Sequence, residues 1–230
     1  MKYKLICIDM FQTLVDITTR NEMIWKRILK DKYSEENRLF CSKLFNEKVI
    51  LNFHSLTNNN EFKKLSEIFM PFYKEVSKET KLEFCEKNAV DIFIDEHNNS
   101  ELYDDSLLFF QSLNKKIPIC LVSDADELMI ENLKTFFNFD KIFISEHSQS
   151  YKSSNNSKIF KDVLNEYNLS PKEILHIGDS LADISGANRI GIDSCWINRK
   201  NLDWKHKEKP TYIIESLTEI LKIIKEKNNA

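Results

Sequence analysis

The chain has 230 residues, 42% hydrophobic and 30% charged, with a formal net charge of −3, an ordinary balance for a globular protein able to bury a substantial core. With no basic excess to displace counterions, nucleic acid is excluded as an electrostatic partner. No apolar run approaches the roughly 18–20 residues that cross a bilayer, which excludes a membrane-spanning role. Met1-Lys2-Tyr3-Lys4 runs directly into a short apolar stretch without a small-residue cleavage site, so the expected location is the cytoplasm. Oligomeric state is not legible.

The first predicted strand is Tyr3 to Ile8, ended by polar Asp9. From about residue 18 to residue 98 the pattern turns helical: Met23, Ile24, Ile28 and Leu29, then Phe40, Leu44, Phe45, Val49 and Phe53, recur at helical spacing. Further helices are predicted around Phe62–Tyr73 and Lys81–Asp95. Beyond Tyr103 the pattern alternates. Helix is expected over Asp105–Lys115, Glu127–Phe137, Asn156–Tyr167, Leu181–Arg189 and Leu217–Lys227. Strand is expected over Ile117–Val122, Lys141–Ile144, Glu173–Ile177, Ser194–Ile197 and Thr211–Ile214. Such alternation implies an α/β fold, a doubly wound, Rossmann-like parallel sheet. The all-helical block then forms a cap inserted after the first strand, giving a core of residues 1–17 and 99–230 and a cap of residues 18–98.

Five scattered cysteines without a CxxC pair suggest neither a disulfide framework nor a zinc site. Cys7, Cys120 and Cys195 lie in strand-like runs and read as small buried hydrophobes. His176, inside a predicted strand, reads as a core histidine bonded to backbone, and the other four histidines show no ligand spacing. Trp25 reads as a packing residue of the first cap helix. The three glycines all fall between residues 178 and 191, which locates backbone permissiveness in one segment.

Polar residues follow four of the predicted strands and form a set. Asp9-Met10-Phe11-Gln12-Thr13 follows the first, and Ser123-Asp124 the next. Lys152 lies beyond the loop after Ile144, and Gly178-Asp179-Ser180-Leu181-Ala182-Asp183 follows Ile177. In parallel sheets ligands bind at these carboxyl ends. A carboxylate can attack phosphorus to form an acyl-phosphate, an oxygen-only carboxylate cluster suits Mg²⁺, and a hydroxyl and an ammonium can bind the non-bridging oxygens.

Together the four segments, spanning residues 5 to about 199, resemble the four ordered motifs of the haloacid dehalogenase-like superfamily. The cap position resembles the class whose helical insertion lies between the first and second motifs. The resemblance implies a Mg²⁺-dependent hydrolase in which Asp9 is the nucleophile, acting with Lys152. Thr13, Ser123, Asp124 and Lys152 would bind a small phosphorylated substrate. Asp9, the Phe11 backbone carbonyl, Asp179 and Asp183 would serve the metal.

Four positions depart from the family pattern. The superfamily's phosphatases usually carry a second aspartate, the general acid and base, where this chain has Phe11. Dehalogenases of the superfamily have an aromatic residue there but work without metal. Phosphonatases also replace that aspartate and use a cap lysine, for which Lys26, Lys43, Lys48 and Lys63 are available. A protein that binds phosphorylated ligands without turnover is the remaining alternative. Gln12 stands where glycine is usual. Asp124, replacing a common asparagine, is read as a helix cap near Asp126, with Asp124 or Asp126 as the missing acid the lesser alternative. The segment at Lys152 lacks its usual proline, which leaves Lys158 as the second candidate.

Overall fold

The computed structural model describes residues 2–113 and 117–226. Strand β1 (Leu5–Ile8) and the short β2 (Val15–Asp16) precede four helices: α1 (Arg20–Leu29), α2 (Glu35–Asn58), α3 (Leu65–Thr80) and α4 (Glu86–Asn98). Then come β3 (Glu101–Leu102), α5 (Asp104–Leu113), β4 (Ile119–Ser123), β5 (Lys141–Ile144), α6 (Ser145–Ser148) and α7 (Lys158–Tyr167). The chain continues through β6 (Ile174–Gly178), α8 (Leu181–Arg189), β7 (Asp193–Ile197), β8 (Tyr212–Ile214) and α9 (Ile220–Glu226). The expectations for Lys115 and Lys227 lie outside the described residues.

Six strands form one sheet in the order β5-β4-β1-β6-β7-β8, and every pairing is parallel. A central parallel strand must be apolar on both faces, and β1 shows how the sequence supplies this. Leu5 and Cys7 join a cluster with Ile159, Phe160 and Val163 of α7 and Ala187 of α8. The alternate residues Ile6 and Ile8 join the cluster containing Phe109 of α5 and Ile220 of α9. Cys7, Cys120 and Cys195 are buried and free, as expected. Among the described residues, no helix is long and apolar enough to cross a membrane.

The four-helix insertion leaves and re-enters the core through an antiparallel β2–β3 ribbon, with Val15 opposite Leu102 and Asp16 opposite Glu101. Its own core gathers around Trp25, which meets Phe45, Tyr73 and Phe84 edge-on. A second anchorage lies far along the chain. Both carboxylate oxygens of Asp126 accept N–H groups from the start of α3, Leu65 at 2.8 Å and Ser66 at 2.9 Å. Lys64 pairs with Glu146, and the Tyr151 hydroxyl donates to the Lys63 carbonyl at 2.5 Å. A core loop thus supplies the N-terminal cap of a helix in the insertion, satisfying backbone donors that have no partner within the helix.

This anchorage corrects one expected element. The segment Glu127–Phe137 is not a continuous α-helix but two single 3₁₀ turns, Glu127–Met129 and Leu133–Phe136. Asp126 stands at its N-cap position but makes no capping bond there, because its carboxylate is committed to α3. An uncapped short segment does not recover the cost of helix nucleation. Its apolar residues Met129, Ile130 and Leu133 are still buried, as the periodicity indicated.

Candidate active site

The site lies at the carboxyl edge of the sheet, where β1 is flanked by β4 and β6. Asp9 follows β1 directly, its N–H bonded to the Ile177 carbonyl at 2.9 Å. One of its carboxylate oxygens accepts the Ser123 hydroxyl at 2.8 Å and the Lys152 ammonium at 2.7 Å. Lys152 also reaches Asp183 at 2.6 Å. Asp9, Lys152 and Asp183 are all buried, and Asp179 is partly exposed beside them. Oxygens of Asp9, Asp179 and Asp183 lie within 4.8 Å of one another. Of the sequence-derived residues, the structure brings together Asp9, Ser123, Asp124, Lys152, Asp179 and Asp183. Lys158 instead sits on α7, paired with Asp162, whereas the Lys152 ammonium reaches Asp9.

Electrostatics follow from this crowding. Burial, then the carboxylates of Asp183 and Asp9, push Asp179 up to about 8. Burial also raises Asp9, against the pull of Lys152. For Asp183 burial opposes the charge, but Lys152 and His176 outweigh it and hold the carboxyl low. For Lys152 burial likewise works against the charge, and Asp183, Asp9 and Asp124 outweigh it and raise the ammonium. Carboxylates outnumber the ammonium, and three of them, Asp9, Asp124 and Asp179, are held above the usual carboxylate range, chiefly by burial. A divalent cation reverses such local logic, and an all-oxygen set is the donor chemistry that suits Mg²⁺. The residues present therefore fit the metal.

Several roles differ from expectation. Asp124 does not cap a following helix; its carboxylate accepts the Lys152 backbone N–H at 2.9 Å, fixing the loop that carries the lysine. His176 is a buried core residue, yet its partner is not backbone. Its Nε2 lies 2.9 Å from the Asp183 carboxylate, so it holds Asp183 from behind. Gly178 has no positive φ; it is needed because a Cβ there would fall 2.1 Å from Asp183 Cγ. Gln12, in contrast, is left-handed at φ 59°, the conformation that explains the glycine usual at this place. Its side-chain oxygen accepts the Tyr103 hydroxyl at 2.8 Å, tying the loop to the core. The Thr13 hydroxyl is buried without a hydrogen-bond partner among the described residues. Sequence reasoning also passed over Trp196, whose indole donates to the Asp179 carbonyl at 2.9 Å.

The Phe11 ring is partly buried and meets the cap. It lies edge-on to His97 of α4, with ring centroids 5.2 Å apart. His97 is itself buried, and its Nδ1 lies 2.8 Å from the Phe93 carbonyl. Burial, with Arg20 nearby, lowers it from an ordinary 6.5 to about 4. Between those values the unfolded chain binds a proton that the folded chain lacks, so stability is intact above pH 6.5 and lost as pH falls towards 4. Lowering pH from 7 to 5 is expected to cost wild type about 2 kcal/mol more than His97→Phe. Urea unfolding of both proteins at the two pH values checks this, and equal losses would refute it.

A family model described as haloacid dehalogenase-like hydrolase matches residues 3–191. Among curated proteins, glyceraldehyde 3-phosphate phosphatase of Pyrococcus furiosus is 31% identical over 96 residues, 40% of this chain and 39% of that protein. Pyrimidine 5'-nucleotidase PynA of Streptococcus pneumoniae is 36% identical over 86 residues, 36% of this chain and 35% of that protein. The chain thus spans less than two fifths of the length of these relatives. Among solved structures, the magnesium-bound hydrolase YfnB of Bacillus subtilis superposes with a TM-score of 0.80 at 18% identity, covering 97% of this chain and 99% of that one. The L-2-haloacid dehalogenase of Xanthobacter autotrophicus, with chloropropionic acid covalently bound, gives 0.78 at 12% identity over 97% and 98%. At such identities these likenesses establish the fold.

Proposed function

Because this chain belongs to the haloacid dehalogenase-like hydrolases, we propose that it is a Mg²⁺-dependent phosphatase of small phosphorylated metabolites, with Asp9 as nucleophile. The convergence of Asp9, Asp179 and Asp183 on one point, with Lys152 and Ser123 bonded to Asp9, carries this reading. Carboxylates so crowded need a cation, and that cation draws a phosphate. The names of the two curated relatives support a phosphomonoester.

In this mechanism Asp9 attacks phosphorus, and the bond to the leaving oxygen breaks as the acyl-phosphate forms. Lys152 and Ser123 turn from Asp9 toward the non-bridging oxygens, and the unpartnered Thr13 hydroxyl adds a further donor. Asp9, Asp179 and the Phe11 carbonyl, with Asp183 adjoining, would hold the Mg²⁺, which shields the nucleophile from the anionic substrate and neutralises charge developing on the phosphoryl group. Asp183, held by His176, keeps Lys152 in place. Water then cleaves the acyl-phosphate and regenerates Asp9. Phe11 can neither give nor take a proton, so the enzyme favours substrates whose leaving group departs as a stable anion.

A second reading has one observation in its favour: an aromatic residue at position 11, as in the superfamily's dehalogenases. The same carboxylate would then displace halide from carbon. The phosphonatase reading gains less, since Lys26, Lys43 and Lys63 are exposed and Lys48 pairs with Glu75 and Glu79. None has the desolvated setting that makes a lysine an amine nucleophile. Phosphate release from an aryl phosphate, with Mg²⁺ and with chelator, is compared with chloride release from a 2-chloro acid. The expected result is Mg²⁺-dependent phosphate release and no chloride. Chloride release indifferent to chelator would overturn the phosphatase reading.

A further inference from the structure

We propose that Trp196 is a positioning residue for the metal centre, setting the aim of Asp179 through the peptide bond that follows it. The inference rests on the metal reading above and adds a residue to it.

The peptide unit between Asp179 and Ser180 is pinned at both ends. Its carbonyl oxygen accepts the Trp196 indole N–H at 2.9 Å, and its N–H donates to the second carboxylate oxygen of Asp183 at 3.1 Å. One peptide plane is therefore held between the Trp196 indole and the Asp183 carboxylate, and it is bonded directly to the Cα that carries the Asp179 side chain. Asp183 is already fixed by Lys152, His176 and the Ser180 hydroxyl. The carbonyl end has Trp196 as its side-chain restraint.

The sheet explains why this side chain can reach. β7 runs parallel to β6 with Trp196 opposite Gly178, so the indole stands beside the residue that precedes Asp179. Trp196 is buried, and Trp204 covers it at 4.8 Å between ring centroids. Trp204 is in turn tied to its own loop by its indole N–H on the Glu208 carbonyl. An indole nitrogen can only donate, and a buried one needs a partner. Here that need is met by the backbone of a candidate metal ligand. Groups that orient a ligand are typically worth about 10–100-fold in metal affinity. Trp196 acts one bond removed from the carboxylate, which places it at the lower end.

The test is Mg²⁺ binding by isothermal titration calorimetry, without substrate, on wild type, Trp196→Phe and Trp204→Phe. Phenylalanine keeps an aromatic ring and removes the N–H. Trp196→Phe is expected to weaken Mg²⁺ binding about tenfold, and Trp204→Phe less than twofold. A measurement on wild type needs no folded variant: the Trp196 indole N–H resonance should move during Mg²⁺ titration, with the calorimetric midpoint, while that of Trp25 stays fixed. Unchanged affinity in Trp196→Phe, or a stationary Trp196 resonance while Mg²⁺ binds, would overturn this inference and leave the metal reading intact. Absence of Mg²⁺ binding in wild type would overturn the metal reading, and this inference with it.

Discussion

Asp9→Asn is expected to lower Mg²⁺-dependent phosphate release by at least about 10³-fold while leaving the protein as stable as wild type or slightly more so. The amide cannot form the acyl-phosphate, so the route through a covalent intermediate closes rather than slows. The stability side has a separate cause. Asp9 is buried beside Asp183 and Asp179, and its raised pKa reflects desolvation and like charge. Asparagine removes one negative charge and keeps an oxygen to accept Ser123 and Lys152, while Lys152 retains Asp183 as its ion partner. Activity and melting temperature should therefore part company, which excludes unfolding as the cause of the loss. Turnover within tenfold of wild type would remove Asp9 from the nucleophile's role.

Residues that sit where a strand stops were legible because two simple patterns coincide there. An apolar run fixes the strand, and the first polar residue after it marks the carboxyl edge of a parallel sheet. Asp9, Ser123 and Asp179 were found this way, and the alternation of helix and strand gave the doubly wound core. Roles that depend on a partner distant in sequence were not legible. His176 was read as core, which it is, but its carboxylate partner lies seven residues on and becomes a neighbour only when α8 turns back over β6. Asp126 carries a capping residue's chemistry, and the helix it caps begins 61 residues earlier in sequence. Trp196 lay in an apolar run with no sign that its N–H would serve the Asp179 peptide. Gly178 was recognised for the wrong reason, since only the packed structure shows Asp183 filling the space of its missing Cβ.

Phe11→Asp is expected to raise kcat/KM for an alkyl phosphate by about 10²-fold, the lower end of what general acid–base catalysis contributes, and for an aryl phosphate less than tenfold. The two substrates differ in what they ask of position 11. An alkoxide must be protonated as it leaves, whereas an aryloxide departs unaided. A carboxyl at position 11 restores the proton donor that the superfamily's phosphatases usually carry there. The substitution has a structural cost, because it removes the edge-on contact between Phe11 and His97, worth about 0.5–1.5 kcal/mol for an aromatic pair. It also adds a carboxyl near a cluster already rich in them. That cost falls on both substrates alike, so the ratio of the two kcat/KM values isolates the chemical effect. A ratio unchanged from wild type would mean that proton transfer at position 11 does not limit this enzyme. The aromatic residue would then be a packing element of the interface with α4, and leaving-group selectivity would have to reside elsewhere in the site.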